Sequence, residues 1–75
     1  MFLLINCNHD GDTYNLFNKI EDAKEEFEVS CADERNHRVV LVKLDSLGQE
    51  FGFGSRGEIF GAEVIFEYDN EEGVL

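Results

Sequence analysis

Basic residues are scarce in this chain: 6 Lys and Arg stand against 17 Asp and Glu in 75 residues, a formal net charge of −11. Phosphates are contacted mainly by Lys and Arg, so the deficit argues against direct nucleic-acid binding and against docking on an anionic membrane. Long apolar runs are lacking too. The longest apolar start, Phe2-Leu3-Leu4-Ile5, is far shorter than the roughly 20 residues of a membrane span, and no basic flank or cleavage pattern marks it as a signal peptide. Cysteine is limited to Cys7 and Cys31, whereas a small secreted scaffold usually carries about four or more. Reduced, structural thiols in a cytoplasmic protein are the expectation. Proline is absent, and no linker or internal repeat divides the chain, so residues 1–75 read as a single small acidic domain. A domain of this size buries only about 60% of its unfolded surface and is marginal alone. Oligomerisation would help it.

What is present suits a compact core: 43% of the residues are apolar, with 7 Phe and 2 Tyr. Residues 2–8 form an apolar run that stops at Asn8-His9-Asp10-Gly11-Asp12, where Asp-Gly favours a tight hairpin turn. Residues 13–17 are then the partner strand. Asn18 is the expected helix cap with Glu21 three residues on, and Ile20, Ala23 and Phe27 recur on one helical face. Arg38-Val39-Val40-Leu41-Val42-Lys43-Leu44 has the β-branched density of a half-buried strand. A turn is expected at residues 45–48, a short strand at 49–54, and a longer one at 59–68. In that last strand Ala62, Val64, Phe66 and Tyr68 alternate with Glu63, Ile65 and Glu67 and share one inner face. Gly61 marks a bulge near its start. Residues 69–75 lack any period and read as a frayed tail. The expected fold is α+β: a two-layer domain with a mostly antiparallel sheet of four to five strands, a hairpin and a three-stranded meander, and one amphipathic helix on one face.

Several motifs suggest chemistry. Gly52-Phe53-Gly54-Ser55-Arg56-Gly57 has the G-x-G-x-x-G spacing of a dinucleotide-binding loop, but Glu58-Ile59-Phe60 follows where a helix N-terminus should receive the phosphates. A glycine-rich hairpin is the better reading. Asn6, Asn8, Asp10, Gly11 and Asp12 match the opening positions of a calcium loop, yet Phe17 stands where a bidentate Glu is needed. Local turn contacts by Asn and Asp explain these residues better. Cys7, His9, Cys31 and His37 are four zinc-type ligands at spacings unlike the usual paired knuckles. Ser30, Ser46 and Ser55 have no evident histidine partner, and so short a chain leaves little room for a substrate cleft of about 300 Å³ or more. No catalytic residue, metal site or cofactor is therefore assigned.

The acids themselves are the most unusual feature. Residues 21–34 hold seven of them, Glu21, Asp22, Glu25, Glu26, Glu28, Asp33 and Glu34, with Lys24 the one base between, and Glu67, Asp69, Glu71 and Glu72 follow later. On a helix such acids recur about 5 to 6 Å apart, comparable to phosphates along a strand. The bland reading is a solubilising surface; the functional one is a nucleic-acid mimic that steers onto a basic cleft of another protein.

With the helix Lys19-Ile20-Glu21-Asp22-Ala23-Lys24-Glu25-Glu26-Phe27-Glu28 and the closing strand Ala62-Glu63-Val64-Ile65-Phe66-Glu67-Tyr68, the chain resembles the small acidic inhibitors that bacteriophages make against host or defence proteins, of the anti-restriction and anti-CRISPR type. The resemblance covers the whole chain and rests on length, charge and layout; no family motif is matched, so no residue role is carried over. It implies a non-enzymatic protein that binds a host protein in the host cytosol and blocks a basic, nucleic-acid-handling surface. The expected partner-binding residues are Glu21, Asp22, Glu25, Glu26, Glu28, Asp33 and Glu34. Two rival readings are a structural homo-oligomer joined through a strand edge, and a small-ligand sponge or metal-binding domain using residues 52–57 or 6–12.

Overall fold

The computed structural model describes residues 1–46, 49–55 and 57–69. They form β1 (Phe2–Asn8), β2 (Gly11–Phe17), α1 (Ile20–Ala32), β3 (Asn36–Lys43), β4 (Gly52–Phe53), β5 (Ile59–Phe60) and β6 (Glu63–Asp69). An antiparallel four-stranded sheet has the order β2-β1-β3-β6, and β4 and β5 pair as a separate two-stranded ribbon. The fold is α+β, dominated by antiparallel sheet. No helix among the described residues is long and apolar enough to cross a membrane.

The β1–β2 hairpin closes with Asn8 opposite Gly11. Gly11 takes φ 129°, a value glycine adopts without the cost a side chain would add. The Asn8 side chain accepts a 2.9 Å bond from the Asp10 N–H, the local turn contact that short polar residues provide.

The helix starts later than its sequence signal. Lys19, not Asn18, is the cap residue, and it makes no side-chain capping bond. The capping box is thus corrected: packing against the sheet, with Glu21 and Asp22 favourably placed in the first turn, holds this end. Ala23, fully buried, lets the helix lie close on β3 and β1. Ile20, Phe27 and Cys31 pack around Leu4, Val39 and Leu41 on this side of the sheet. At the far end Ser30 and Asn36 are buried, and the Asn36 amide donates to the Ser30 carbonyl at 3.0 Å.

The β4–β5 ribbon covers the second face of the sheet. Of the described residues between β3 and β6, Phe51, Ile59 and Ala62 pack on Leu3, Ile5, Cys7, Val40, Val42 and Leu44, on the sheet face opposite the helix. This layer replaces the expected meander. It also explains the unbroken run Val39-Val40-Leu41-Val42, every member of which is buried: a strand covered on both faces needs no polar alternation. The half-buried reading of β3 is corrected accordingly.

The long strand expected at residues 59–68 is two strands. Gly61, at φ 84°, separates them, and a Cβ there would meet the Glu50 carbonyl oxygen at 2.5 Å. Within β6 the register against β3 shifts between Leu41 and Val42, so that Phe66 opposes Leu41 while Val64 opposes Val42. This bulge turns the expected single inner face into two. Phe66 and Tyr68 face the helix, with the Phe27 and Phe66 ring centroids 5.6 Å apart, whereas Val64 shares the face of Val42 and does not join Ile20. Phe66 itself stays 38% exposed, on the margin of the core. Asp69 pairs with Arg38 as the last residue of β6, so the expected tail loses its first member to the sheet. Residues 70–75, and Leu47 and Gly48 of the expected turn, lie outside the described residues.

Candidate functional site

The helical acids are divided by geometry. Glu21, Glu25 and Glu28 follow one another at i, i+4 and i+7, a spacing that stacks side chains along one face. Glu28 lines a shallow hollow with Lys24, Phe27 and Phe66, which places this ridge toward β6. Lys24 there lies over the Phe66 ring, its ammonium 5.4 Å from the centroid. Asp22 and Glu26 form a second ridge, and Glu26 lines a cleft toward the β1–β2 hairpin. All of these are exposed except Glu26, which is half-buried.

Asp33 and Glu34 sit beyond the helix end, and the structure separates their situations. The Arg35 guanidinium holds the Asp33 carboxylate by two bonds of 3.1 and 2.8 Å, and the Arg35 N–H adds a third at 3.0 Å. Those Arg35 contacts bring the Asp33 pKa down to about 2. Its charge is already answered locally. Glu34 remains exposed. Among the described residues the two ion pairs are Arg35–Asp33 and Arg38–Glu67, so the acids of residues 21–28 carry their charge into solvent unneutralised.

The cleft between the hairpin tip and the helix C-terminal end has a volume of about 440 Å³, more space than so short a chain was expected to spare. Its hydroxyls are those of Thr13 and Ser30, and no histidine lines it. Asn6 also lines it, but the Asn6 Oδ1 atom is buried with no hydrogen-bond partner among the described residues.

The zinc-type ligands do not converge. Cys7 belongs to the sheet face under the ribbon and Cys31 to the face under the helix, because alternation along β1 points Cys7 away from α1. The same separation rules out a Cys7–Cys31 disulfide in this fold, and both thiols are free. Burial pushes the Cys7 thiol up, with Asp12 reinforcing it and Arg38 opposing; burial and then Glu28 raise Cys31. Such thiols stay protonated and weakly nucleophilic. The His9 and His37 ring centroids lie 5.3 Å apart with their planes tilted by 33°. Among the described residues no three His, Cys, Asp or Glu side chains group as metal ligands. The calcium-loop spacing is likewise broken by the hairpin, which pairs Asp12 with Cys7 and so places it on the sheet face opposite that of Asn6 and Asn8.

The glycine-rich segment is the turn of the β4–β5 ribbon. The Gly54 N–H donates to the Glu58 carbonyl at 2.7 Å and the Gly57 N–H to the Gly54 carbonyl at 3.0 Å, and strands, not a helix, follow. Arg56 lies outside the described residues. This segment is anchored by Arg38, a residue the sequence did not single out. Its guanidinium pairs with Glu67 at 2.6 Å, lies 5.9 Å from the Phe53 ring centroid, and would meet a Cβ on Gly57 at 2.9 Å. A lone base at the head of an apolar strand was the available signal. Comparison with known protein families, characterised proteins and solved structures finds no match to this chain.

Proposed function

We propose that this chain is a non-enzymatic acidic binding module that occludes a basic, nucleic-acid-handling surface of a larger protein, as a phage inhibitor of a host protein would. One observation carries the reading: Glu21, Asp22, Glu25 and Glu28 stand exposed on one helix with no ion pair among the described residues. Like charges three and four residues apart weaken a helix, so the arrangement costs some stability and suits an external counter-charge. A partner with a basic surface would be drawn by the long-range field and would relieve that repulsion on contact. The Glu21, Glu25, Glu28 ridge and the Asp22, Glu26 ridge are the proposed contact rows, with Glu34 extending them and Asp33 already engaged.

The test is capture from host lysate by the tagged protein at about 50 and about 500 mM NaCl, followed by binding kinetics with the retained protein. Association should slow sharply with salt while dissociation changes less. Glu21, Glu25 and Glu28 changed to Gln, and separately Asp22→Asn with Glu26→Gln, should each reduce association without unfolding the domain. The captured protein should lose its nucleic-acid binding in the complex. Unaltered affinity in both folded variants would remove the helix as the contact surface.

A further inference from the structure

The two edges of the main sheet are built differently. β6 is guarded: its pairing is interrupted by a bulge, and Glu63, Glu67 and Asp69 lie along it. Bulges and charges are the devices by which edge strands avoid meeting other strands. β2 has none of them over most of its length. It pairs with β1 through seven consecutive residues with no register shift, and residues 13–18 (Thr13-Tyr14-Asn15-Leu16-Phe17-Asn18) contain no charge and no proline. Tyr14 and Leu16 are 54% and 53% exposed on the face away from the helix. Every second residue of an antiparallel edge strand turns its N–H and C=O outward. Among the described residues no other strand of the sheet lies beyond β2 to meet these groups.

We propose that β2 pairs antiparallel with β2 of a second copy across a two-fold axis at Tyr14, joining the four-stranded sheets into one continuous sheet. The occupant is a second copy because the strand is self-complementary about its midpoint. In that register Tyr14 opposes Tyr14, Thr13 opposes Asn15, and Asp12 opposes Leu16, so no acid faces an acid. Further out, Asp10 opposes Asn18, beside Lys19 of the other copy. Copies that each carry −11 repel over most of their surfaces, and this uncharged lane is where they can approach. The side chains brought together on one face are Tyr14 and Leu16 of both copies, a cross-strand aromatic and aliphatic cluster of the stabilising kind, flanked by Asp12 of each copy opposite Leu16. An interface of one strand edge is small, which places the dimer in the weak, concentration-dependent class. The surface is distinct from the helical acids and does not depend on their proposed role.

Salt separates the two ideas. Binding through the acidic helix weakens as salt rises, whereas dimerisation of two like-charged copies strengthens. Sedimentation of the full chain from about 5 to about 500 μM should show a monomer–dimer equilibrium that shifts toward dimer between about 50 and about 500 mM NaCl. Tyr14→Glu sets two carboxylates face to face on the axis and should weaken the dimer at least about tenfold, with the fold intact by circular dichroism because the site is exposed. Leu16→Glu, opposite Asp12, should weaken it more than Leu16→Lys. Amide exchange in the wild-type chain should slow along β2, and not along β6, as concentration rises. A monomer at all concentrations in high salt, a dimer untouched by Tyr14→Glu, or protection confined to β6 would overturn the proposal. Leu16→Lys weakening the dimer more than Leu16→Glu would overturn the register.

Discussion

Arg38 shows how one side chain can tie layers together. Its partner strand residues lie in β1 and β6, its guanidinium reaches Glu67, and Phe53 and Gly57 of the ribbon pack against it. Its side chain is only 18% exposed, so the pair with Glu67 is better shielded than a surface ion pair. Arg38→Ala should therefore cost about 1 to 2 kcal/mol in urea denaturation and speed amide exchange in residues 51–60 more than in α1. Equal acceleration in both regions would mean that Arg38 supports the sheet generally and not the ribbon. A second contrast lies between Leu41 and Phe66, which oppose each other across β3 and β6. Leu41 is fully buried, whereas Phe66 keeps part of its ring in solvent. Leu41→Ala should cost about 3 to 4 kcal/mol and Phe66→Ala only about 1 to 2, because a cavity forms fully only where the surroundings enclose the lost atoms. The larger residue gives the smaller loss; the reverse order in denaturant midpoints would place Phe66 in the core.

At the level of elements, the hairpin and the helix each reuse residues that also fit other roles. The Asn and Asp residues around the first turn have calcium-loop spacing, but the hairpin pairs Asp12 with Cys7, on the sheet face opposite that of Asn6 and Asn8. Millimolar calcium, or a chelator, should leave the melting temperature unchanged, since a ligand that binds only the folded state must raise it. A rise of several degrees with calcium would show that the turn gathers these oxygens in another geometry. In α1 the apolar stripe was legible because Ile20, Ala23 and Phe27 hold helical spacing, and all three do pack on the sheet. Its start was not. Asn18 has the right chemistry for a cap, yet the chain leaving β2 at Phe17 reaches helical geometry only after Lys19. The strand end, not the capping propensity, decides where the first turn can form.

For the whole molecule the governing quantity is charge, −11 in 75 residues. Self-repulsion of that size opposes the compact state and is screened within about 10 Å at moderate salt. Raising NaCl from about 50 to about 500 mM should lift the melting temperature of the isolated chain by about 4 to 8 °C, equivalent to roughly 1 kcal/mol in a domain this small. The same change should slow capture of a basic partner. A melting temperature that falls with salt would mean that attractive pairs outweigh repulsion in the folded state, contrary to the two ion pairs seen among the described residues.

What the amino-acid order determined by itself was local. The limits of β1, the presence of a hairpin after it, the apolar stripe of α1 and the acid on its outer faces follow from short-range periodicity and backbone preference, which act over a few residues. The turn itself falls on His9-Asp10, with Gly11 already paired to Asn8 as the first residue of β2. The tertiary structure decided everything that depends on residues far apart in the chain. It set β3 between β1 and β6, packed Phe51, Ile59 and Ala62 onto the second sheet face, and placed a bulge in β6 that sends Val64 and Phe66 to opposite sides. The seven candidate acids could be named from the sequence, but their division into two ridges, with Asp33 held by Arg35, needed the helix docked and its end turned. The β2 edge was invisible for the same reason: an uncharged strand reads alike in the middle of a sheet or at its border, and only the pairing of β1 with β3 leaves it outermost.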